Sequence, residues 1–271
     1  MARKPYHQSN ISDLDEMSRN GEAPDILALG DSWFCYPMNN LLNSIFNLWH
    51  SGKIILAFGE TGATLKELAD AQNNYFREFK SFLQLYSRKI KLVLLSGGGN
   101  DLADMTDFPK LLKPDCHTKT TVADCFAPGE PAKFLETIRD RYAFLIDTVI
   151  RNAEDRSVLI AAHNYDYAIP TGKGFLGFGH WLKEPLDQCQ VPDALRQDLI
   201  DILIDGFATQ LSDLEQNYPN NFVFIKTAGT LTSPADWANE LHPTPSGFEE
   251  IGNHYSRILR PLMKQRFQWN Y

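Results

Sequence analysis

The sequence predicts an α/β protein, a three-layer α/β/α sandwich of flavodoxin-like type with about five parallel strands in the order 2-1-3-4-5. Three observations predict it. Five short runs are apolar almost without interruption, the pattern of strands buried on both faces of a parallel sheet. Segments with helical periodicity fall between them. Strand and helix then alternate along the whole length, which implies right-handed crossovers covering both sheet faces.

The elements follow in order. Residues 1–22 form an N-terminal extension with no apolar core segment, so neither a signal peptide nor a transmembrane start is read there and a cytoplasmic location is expected. The first strand is DILALG (25–30) and the second KIILAF (53–58). Residues 63–88 carry Leu65, Leu68, Tyr75, Phe76, Phe79 and Leu83 at helical spacing. The third strand is KIKLVLLSGG (89–98). The helix over 131–154 aligns Phe134, Leu135, Ile138, Tyr142, Leu145 and Ile146. The fourth strand is SVLIAAHN (157–164). The next helix opens with Pro192 in its first turn and repeats at Leu195, Leu199, Leu203, Phe207 and Leu211. The fifth strand is NFVFIKTAG (221–229), and a last helix starts near Pro245 and runs through Leu259.

With no internal repeat or low-complexity linker, the 271 residues read as a single domain, 1–271. Two segments exceed ordinary loop length, 104–130 and 165–190; both leave the same sheet edge and are expected to flank a pocket and set substrate choice. A hydrophobic content of 43% supports a sizeable core, and the net charge of −8 argues against nucleic acid or an anionic membrane as partner. No apolar run is long enough for a membrane span. The four cysteines, Cys35, Cys116, Cys125 and Cys189, fit no zinc spacing and read as free thiols, so no metal is expected. TGKGFLGFG (171–179) is glycine-rich but lacks phosphate-loop spacing, and no cofactor is expected either.

The chemistry lies in four strand ends. They are Gly30-Asp31-Ser32, the stretch Gly59 to Thr64, the stretch Ser96 to Asp101, and, past the fifth strand, Asn239-Glu240-Leu241-His242-Pro243. A parallel sheet delivers all four to one edge, where open α/β sheets bind ligands. The set contains a hydroxyl, a glycine amide, a carboxamide and an imidazole, the groups that acyl transfer needs. Each also has a plain structural reading. Ser32 can cap a helix, Asn100 can brace its own turn, Gly62 can end a tight turn, and His242 can be a loop residue. Aromatic residues gather at the same edge: Trp33, Phe34, Tyr36, Tyr165, Tyr167, Phe175, Phe178, Trp181 and Trp237.

Taken together, the blocks GDSW, GETGATL, GGND and NELHP resemble those of the SGNH hydrolase (GDSL esterase/lipase) superfamily. They stand in that family's order and cover about residues 25 to 255. The resemblance implies a flavodoxin-like α/β/α fold and serine-dependent hydrolysis of a small-molecule carboxylic ester through an acyl-enzyme. It implies Ser32 as nucleophile and His242 as base, with the Ser32 N–H, the Gly62 N–H and the Asn100 side-chain amide as the oxyanion hole. One position departs from the pattern. Three residues before His242 the family has Asp, and here Asn239 stands. Asn239 is expected to orient a neutral imidazole, with Asp236 in reserve and Glu240 as a further candidate. Asp31 and Asp101 either support the site or serve as helix N-terminal acids. The alternative is a catalytically weak binding or scaffolding protein of the same fold. The ester's identity and the oligomeric state are not written in the sequence.

Overall fold

The computed structural model describes residues 4–36, 39–49, 52–154, 156–174 and 181–269. Its strands are β1 (Tyr6–His7), β2 (Ile26–Gly30), β3 (Ile55–Gly59), β4 (Leu92–Ser96), β5 (Leu159–His163) and β6 (Phe222–Ile225). The helices are α1 (Ile11–Arg19), α2 (Ser32–Cys35), α3 (Leu41–Trp49), α4 (Leu65–Leu68), α5 (Asn74–Leu85), α6 (Gly99–Leu102), α7 (Val122–Cys125), α8 (Glu130–Asn152), α9 (Lys183–Gln188), α10 (Asp193–Asn217) and α11 (Pro245–Phe267).

All six strands are parallel, in the order β1-β3-β2-β4-β5-β6. The five longer ones keep the expected arrangement. The sixth is the two-residue β1, which the N-terminal extension adds beside β3 at the edge. Strands β2 to β5 are buried at every residue, as continuously apolar runs should be in a sheet covered on both faces. Helices α5, α8 and α10 pack in series on one face, and α3 packs along α11 on the other. Trp49 on α3 donates to Ser256 Oγ on α11 at 2.9 Å, which ties that second layer together.

The helix read over 63–88 is in fact two. It breaks at Ala69 because the polar run Asp70 to Asn74 offers side-chain caps in place of helix: Gln72 N–H donates to Asp70 and Tyr75 N–H to Asn73. Pro192 lies at the cap before α10 rather than inside its first turn. The last helix extends past Leu259 to Phe267, with Pro261 accommodated inside it.

The register levels the strand ends. Gly30 pairs with Gly59 on one side and with Ser96 on the other. A Cβ at Gly59, where φ is +117°, would lie 1.8 Å from the Gly30 carbonyl oxygen, so that approach requires glycine. Ser32, Gly62 and Asn100 follow these level ends by two, three and four residues. The sheet therefore brings them to one edge.

Candidate active site

Ser32 opens α2, and the side chain of Asp31 caps that helix by accepting from Trp33 N–H at 3.0 Å. The capping residue is thus Asp31, which leaves the Ser32 hydroxyl free to face His242. Its Oγ lies 2.8 Å from His242 Nε2. His242 Nδ1 lies 2.9 Å from Asn239 Oδ1. All three residues are buried.

The loop that carries His242 is built around the Asn239 side chain. Asn239 Oδ1 also accepts the backbone N–H groups of Leu241 at 3.0 Å and His242 at 2.9 Å. Two fixed backbone donors can face only an oxygen, so they settle which end of the amide points at the ring. The ring must then donate Nδ1–H to that oxygen, and Nε2 is left as an acceptor for the Ser32 hydroxyl. The other end of the amide is held by a hydrogen bond to the Tyr36 hydroxyl. Trp33 Nε1 donates to the Leu241 carbonyl at 3.0 Å, anchoring the His242 loop to the helix of Ser32.

The imidazole sits between aromatic rings. Tyr36 stacks on it with centroids 4.3 Å apart and planes 14° from parallel, and Trp181 meets it edge-on at 6.1 Å. Burial without an anionic partner pushes the His242 pKa down from 6.5 to about 4.

Asp236 is elsewhere. Its carboxylate accepts from Ser233 N–H at 3.0 Å in a capping box and does not reach the imidazole. Glu240 does not reach it either. Fully buried, it accepts backbone N–H groups of Gly172, Leu182 and Lys183 at 2.8, 3.0 and 3.1 Å. It ties Gly172, Leu182 and Lys183 to the loop that carries His242.

Gly62 lies in the turn after β3 with φ +89°, exposed at the edge. Asn100, on α6, donates one N–H of its amide to the carbonyl of Ala63 at 2.9 Å, which holds it beside the Gly62 turn. Ser32 and Asn100 line a common cavity. Asp101 braces the same corner: it accepts Leu65 N–H at 2.5 Å and pairs with Arg141 at 2.6 Å.

Beneath Ser32 runs a buried polar chain that the strand ends hinted at without revealing. Tyr165 N–H donates to His163 Nδ1 at 3.1 Å, so Nε2 carries the proton and donates to Ser96 Oγ at 3.0 Å. Ser96 donates to Asp31 Oδ1 at 2.9 Å, and Tyr165 OH to Asp31 Oδ2 at 2.5 Å. Burial pushes the Asp31 pKa up, against the pull of its donors, and holds His163 neutral with a pKa of about 3. The signal in the sequence was a polar residue ending each apolar run, Ser96 and His163.

Of the two long segments, 165–190 contributes Tyr165, Asp166, Ala168 and Leu182 to the cavity at Ser32. The segment 104–130 contributes none of the lining residues. It forms short helical turns and packs behind the first segment, where Cys116 N–H donates to the Cys189 carbonyl at 3.0 Å. Among the aromatic residues, Trp33, Tyr165 and Trp237 line the cavity, while Phe34 is buried in the core and the Tyr167 hydroxyl donates to Asp205. Phe175 and Phe178 lie outside the described residues.

No protein-family model matches the sequence, and no curated protein matches it significantly. Solved structures do. A carbohydrate esterase family 3 protein from Talaromyces cellulolyticus aligns with TM-score 0.52 and 13% identity over 89% of this chain and 99% of the other. An extracellular lipase from Streptomyces rimosus gives 0.50 and 17% over 88% and 99%, and a phospholipase A1 from Streptomyces albidoflavus 0.50 and 16% over 89% and 99%. The chain shares the α/β fold of these three proteins. No helix among the described residues is long and apolar enough to cross a membrane.

Proposed function

We propose that this protein is a serine-dependent carboxylic ester hydrolase. The observation that carries the reading is the relay Ser32 Oγ–His242 Nε2 at 2.8 Å and His242 Nδ1–Asn239 Oδ1 at 2.9 Å, at the edge of the sheet beside Asn100. A serine hydroxyl is a weak nucleophile until a base takes its proton, and a neutral imidazole with its lone pair on Nε2 is that base.

In the first half-reaction Ser32 Oγ bonds to the ester carbonyl carbon as its proton passes to His242 Nε2. The negative oxygen of the tetrahedral intermediate is met by the Ser32 N–H, the Gly62 N–H and the N–H of Asn100 that is not donated to Ala63. The carbon–oxygen bond to the alcohol breaks, and the alcohol leaves with the proton from His242. In the second half-reaction water gives a proton to His242 and its oxygen to the acyl carbon. The acid departs and Ser32 regains its proton.

Asn239 supplies orientation without charge. In a serine-protease triad, Asp-to-Asn costs about 10⁴ in turnover, chiefly because the ring adopts the wrong tautomer. Here the Leu241 and His242 N–H groups force the amide oxygen toward the ring, which selects the working tautomer. The loss is thereby confined to the missing charge. The named activities of the three structural neighbours, a carbohydrate esterase, a lipase and a phospholipase, differ in substrate but are all compatible with this chemistry.

The test is covalent labelling. A fluorophosphonate should add once to the protein by intact mass, and Ser32→Ala should abolish the adduct. An unlabelled wild type, or labelling that survives Ser32→Ala, leaves a binding protein of the same fold as the better reading.

A further inference from the structure

Ser32 and Asn100 follow neighbouring strands. Gly30 and Ser96 are paired at the level ends of β2 and β4. The Asp31 N–H adds a last ladder bond, to the Ser96 carbonyl at 3.2 Å, and past it the chain enters α2 on one side and α6 on the other. From there the sheet ladder no longer sets the separation of the two blocks. The side chain of Tyr165 fills the fork between them.

Its hydroxyl donates at 2.5 Å to Oδ2 of Asp31, the residue before Ser32. The end of its ring lies against Gly99, the residue before Asn100: a Cβ at Gly99 would come within 2.9 Å of Tyr165 Cζ. The Gly99 N–H is directed at the same hydroxyl oxygen. One phenol thus abuts both blocks, and it lines the cavity at Ser32 together with Asp31, Gly99 and Asn100.

The ring is itself fixed. It stands edge-on to Trp33, with centroids 5.0 Å apart. The Tyr165 backbone has φ +62°, a conformation uncommon for any residue with a side chain and rarer for a bulky one. Two bonds hold it there: the Tyr165 N–H donates to His163 Nδ1 at 3.1 Å, and its carbonyl accepts from Thr227 Oγ1 at 2.6 Å. Such a backbone persists only where the surroundings over-determine it, and it gathers at functional sites. A ring that merely filled the core would need neither the hydroxyl nor this backbone.

We propose that Tyr165 is a positioning residue for the hydrolysis, which sets the distance from Ser32 Oγ to the Asn100 amide by spacing Asp31 from Gly99. It acts through those two neighbours. The proposal rests on the reading of Ser32 and His242 as an acyl-transfer pair and adds what keeps the nucleophile and the oxyanion hole in register.

Hydrolysis of p-nitrophenyl acetate tests it, at a temperature well below the melting midpoint of every variant. Both half-reactions pass through a tetrahedral oxyanion, so an error in spacing slows both. Tyr165→Phe keeps the ring and removes the hydroxyl. Its kcat should fall by about 10²-fold with KM little changed, the effect of a displacement of about 1 Å. The acid limb of kcat/KM should stay where His242 sets it. Asp31→Asn should lose about as much, and the double variant little more than either alone, because both remove the same tie. Gly99→Ala, whose methyl group presses on the ring from the Asn100 side, should also lower kcat with KM unchanged, and it supplies the test where Asp31→Asn does not fold. A Tyr165→Phe protein that melts lower yet keeps the wild-type kcat would make the residue a structural one and overturn the proposal. So would losses that multiply in the double variant, or an acid limb that moves. In each of these cases a fluorophosphonate adduct on Ser32 of the wild type leaves the hydrolase reading standing. A wild type that neither labels nor hydrolyses overturns both.

Discussion

At the scale of single residues the site turns on a carboxamide where a carboxylate would be expected. Asn239→Asp keeps the acceptor toward His242 and adds a charge that stabilises the protonated ring. We expect it to be tolerated and to raise turnover by about tenfold. The sign extends to pH. His242 must be neutral to act as base, and its pKa lies near 4, so the acid limb of kcat/KM should fall near pH 4 in the wild type. An anion at position 239 favours imidazolium, so the limb in Asn239→Asp should move toward neutral pH; an unmoved limb would show that the charge does not reach the ring. Tyr36 supplies part of what the charge would. Its stacked face favours a cation, and Tyr36→Leu should lower kcat by about tenfold while Tyr36→Phe keeps most of it. Ser32, Gly62 and Asn100 stand out in the sequence because each falls in a short block just past an apolar run, and Asn239 and His242 because they share the NELHP block. Tyr36 was legible only as one aromatic among nine, since stacking on a residue 206 positions away leaves no local pattern.

At the scale of elements, Glu240 is the fastening of the segment after β5. It is a buried acceptor for three backbone donors, and a glutamine there would turn an NH₂ toward groups that also donate. Glu240→Gln should cost about 1–3 kcal/mol and raise hydrogen exchange at Gly172, Leu182 and Lys183 while the β2 to β4 amides stay protected. Unchanged exchange at those three amides would show the segment to be held by other contacts. The strands β2 to β5 were readable because full burial on both faces forces unbroken apolar runs, and β6 because its run stays apolar although Val223 and Phe224 are only half-buried. β1 was not, because two residues carry no periodicity; its pairing with β3 is a tertiary fact. α3 carries an apolar stripe, LLNSIFNLW, that could have been read as helix from its spacing. The segment 104–130 adds no residue to the cavity at Ser32, because leaving the right edge does not fix where a loop goes next. Its helical turns fold back against Cys189 and support the segment 165–190 from behind.

At the scale of the molecule, the buried chain from His163 to Asp31 couples stability to pH. The folded pKa of His163 is depressed to about 3 from 6.5, so the unfolded state binds the proton first as pH falls. The stability that neutral His163 contributes is present above about pH 6.5 and is lost progressively as pH falls toward 3. Comparison with His163→Gln, which cannot titrate, isolates this effect from the buried carboxylates. The stability advantage of the wild type, from denaturant midpoints, should be larger at pH 8 than at pH 5. A constant difference would mean that His163 titrates alike in the folded and unfolded chain.

The tight turn around Asn239 also governs how the protein ages. An asparagine loses ammonia when the backbone nitrogen of the next residue attacks its side-chain carbonyl and closes a succinimide ring. Here that nitrogen belongs to Glu240, and its N–H is committed to the Lys173 carbonyl at 3.0 Å, while the target amide is held by its three donors. The folded chain therefore keeps its asparagine, and the unfolded chain has no such protection. Material stored or recovered through an unfolded state would gradually acquire aspartate and isoaspartate at 239, each about one mass unit heavier, because the succinimide opens at either carbonyl.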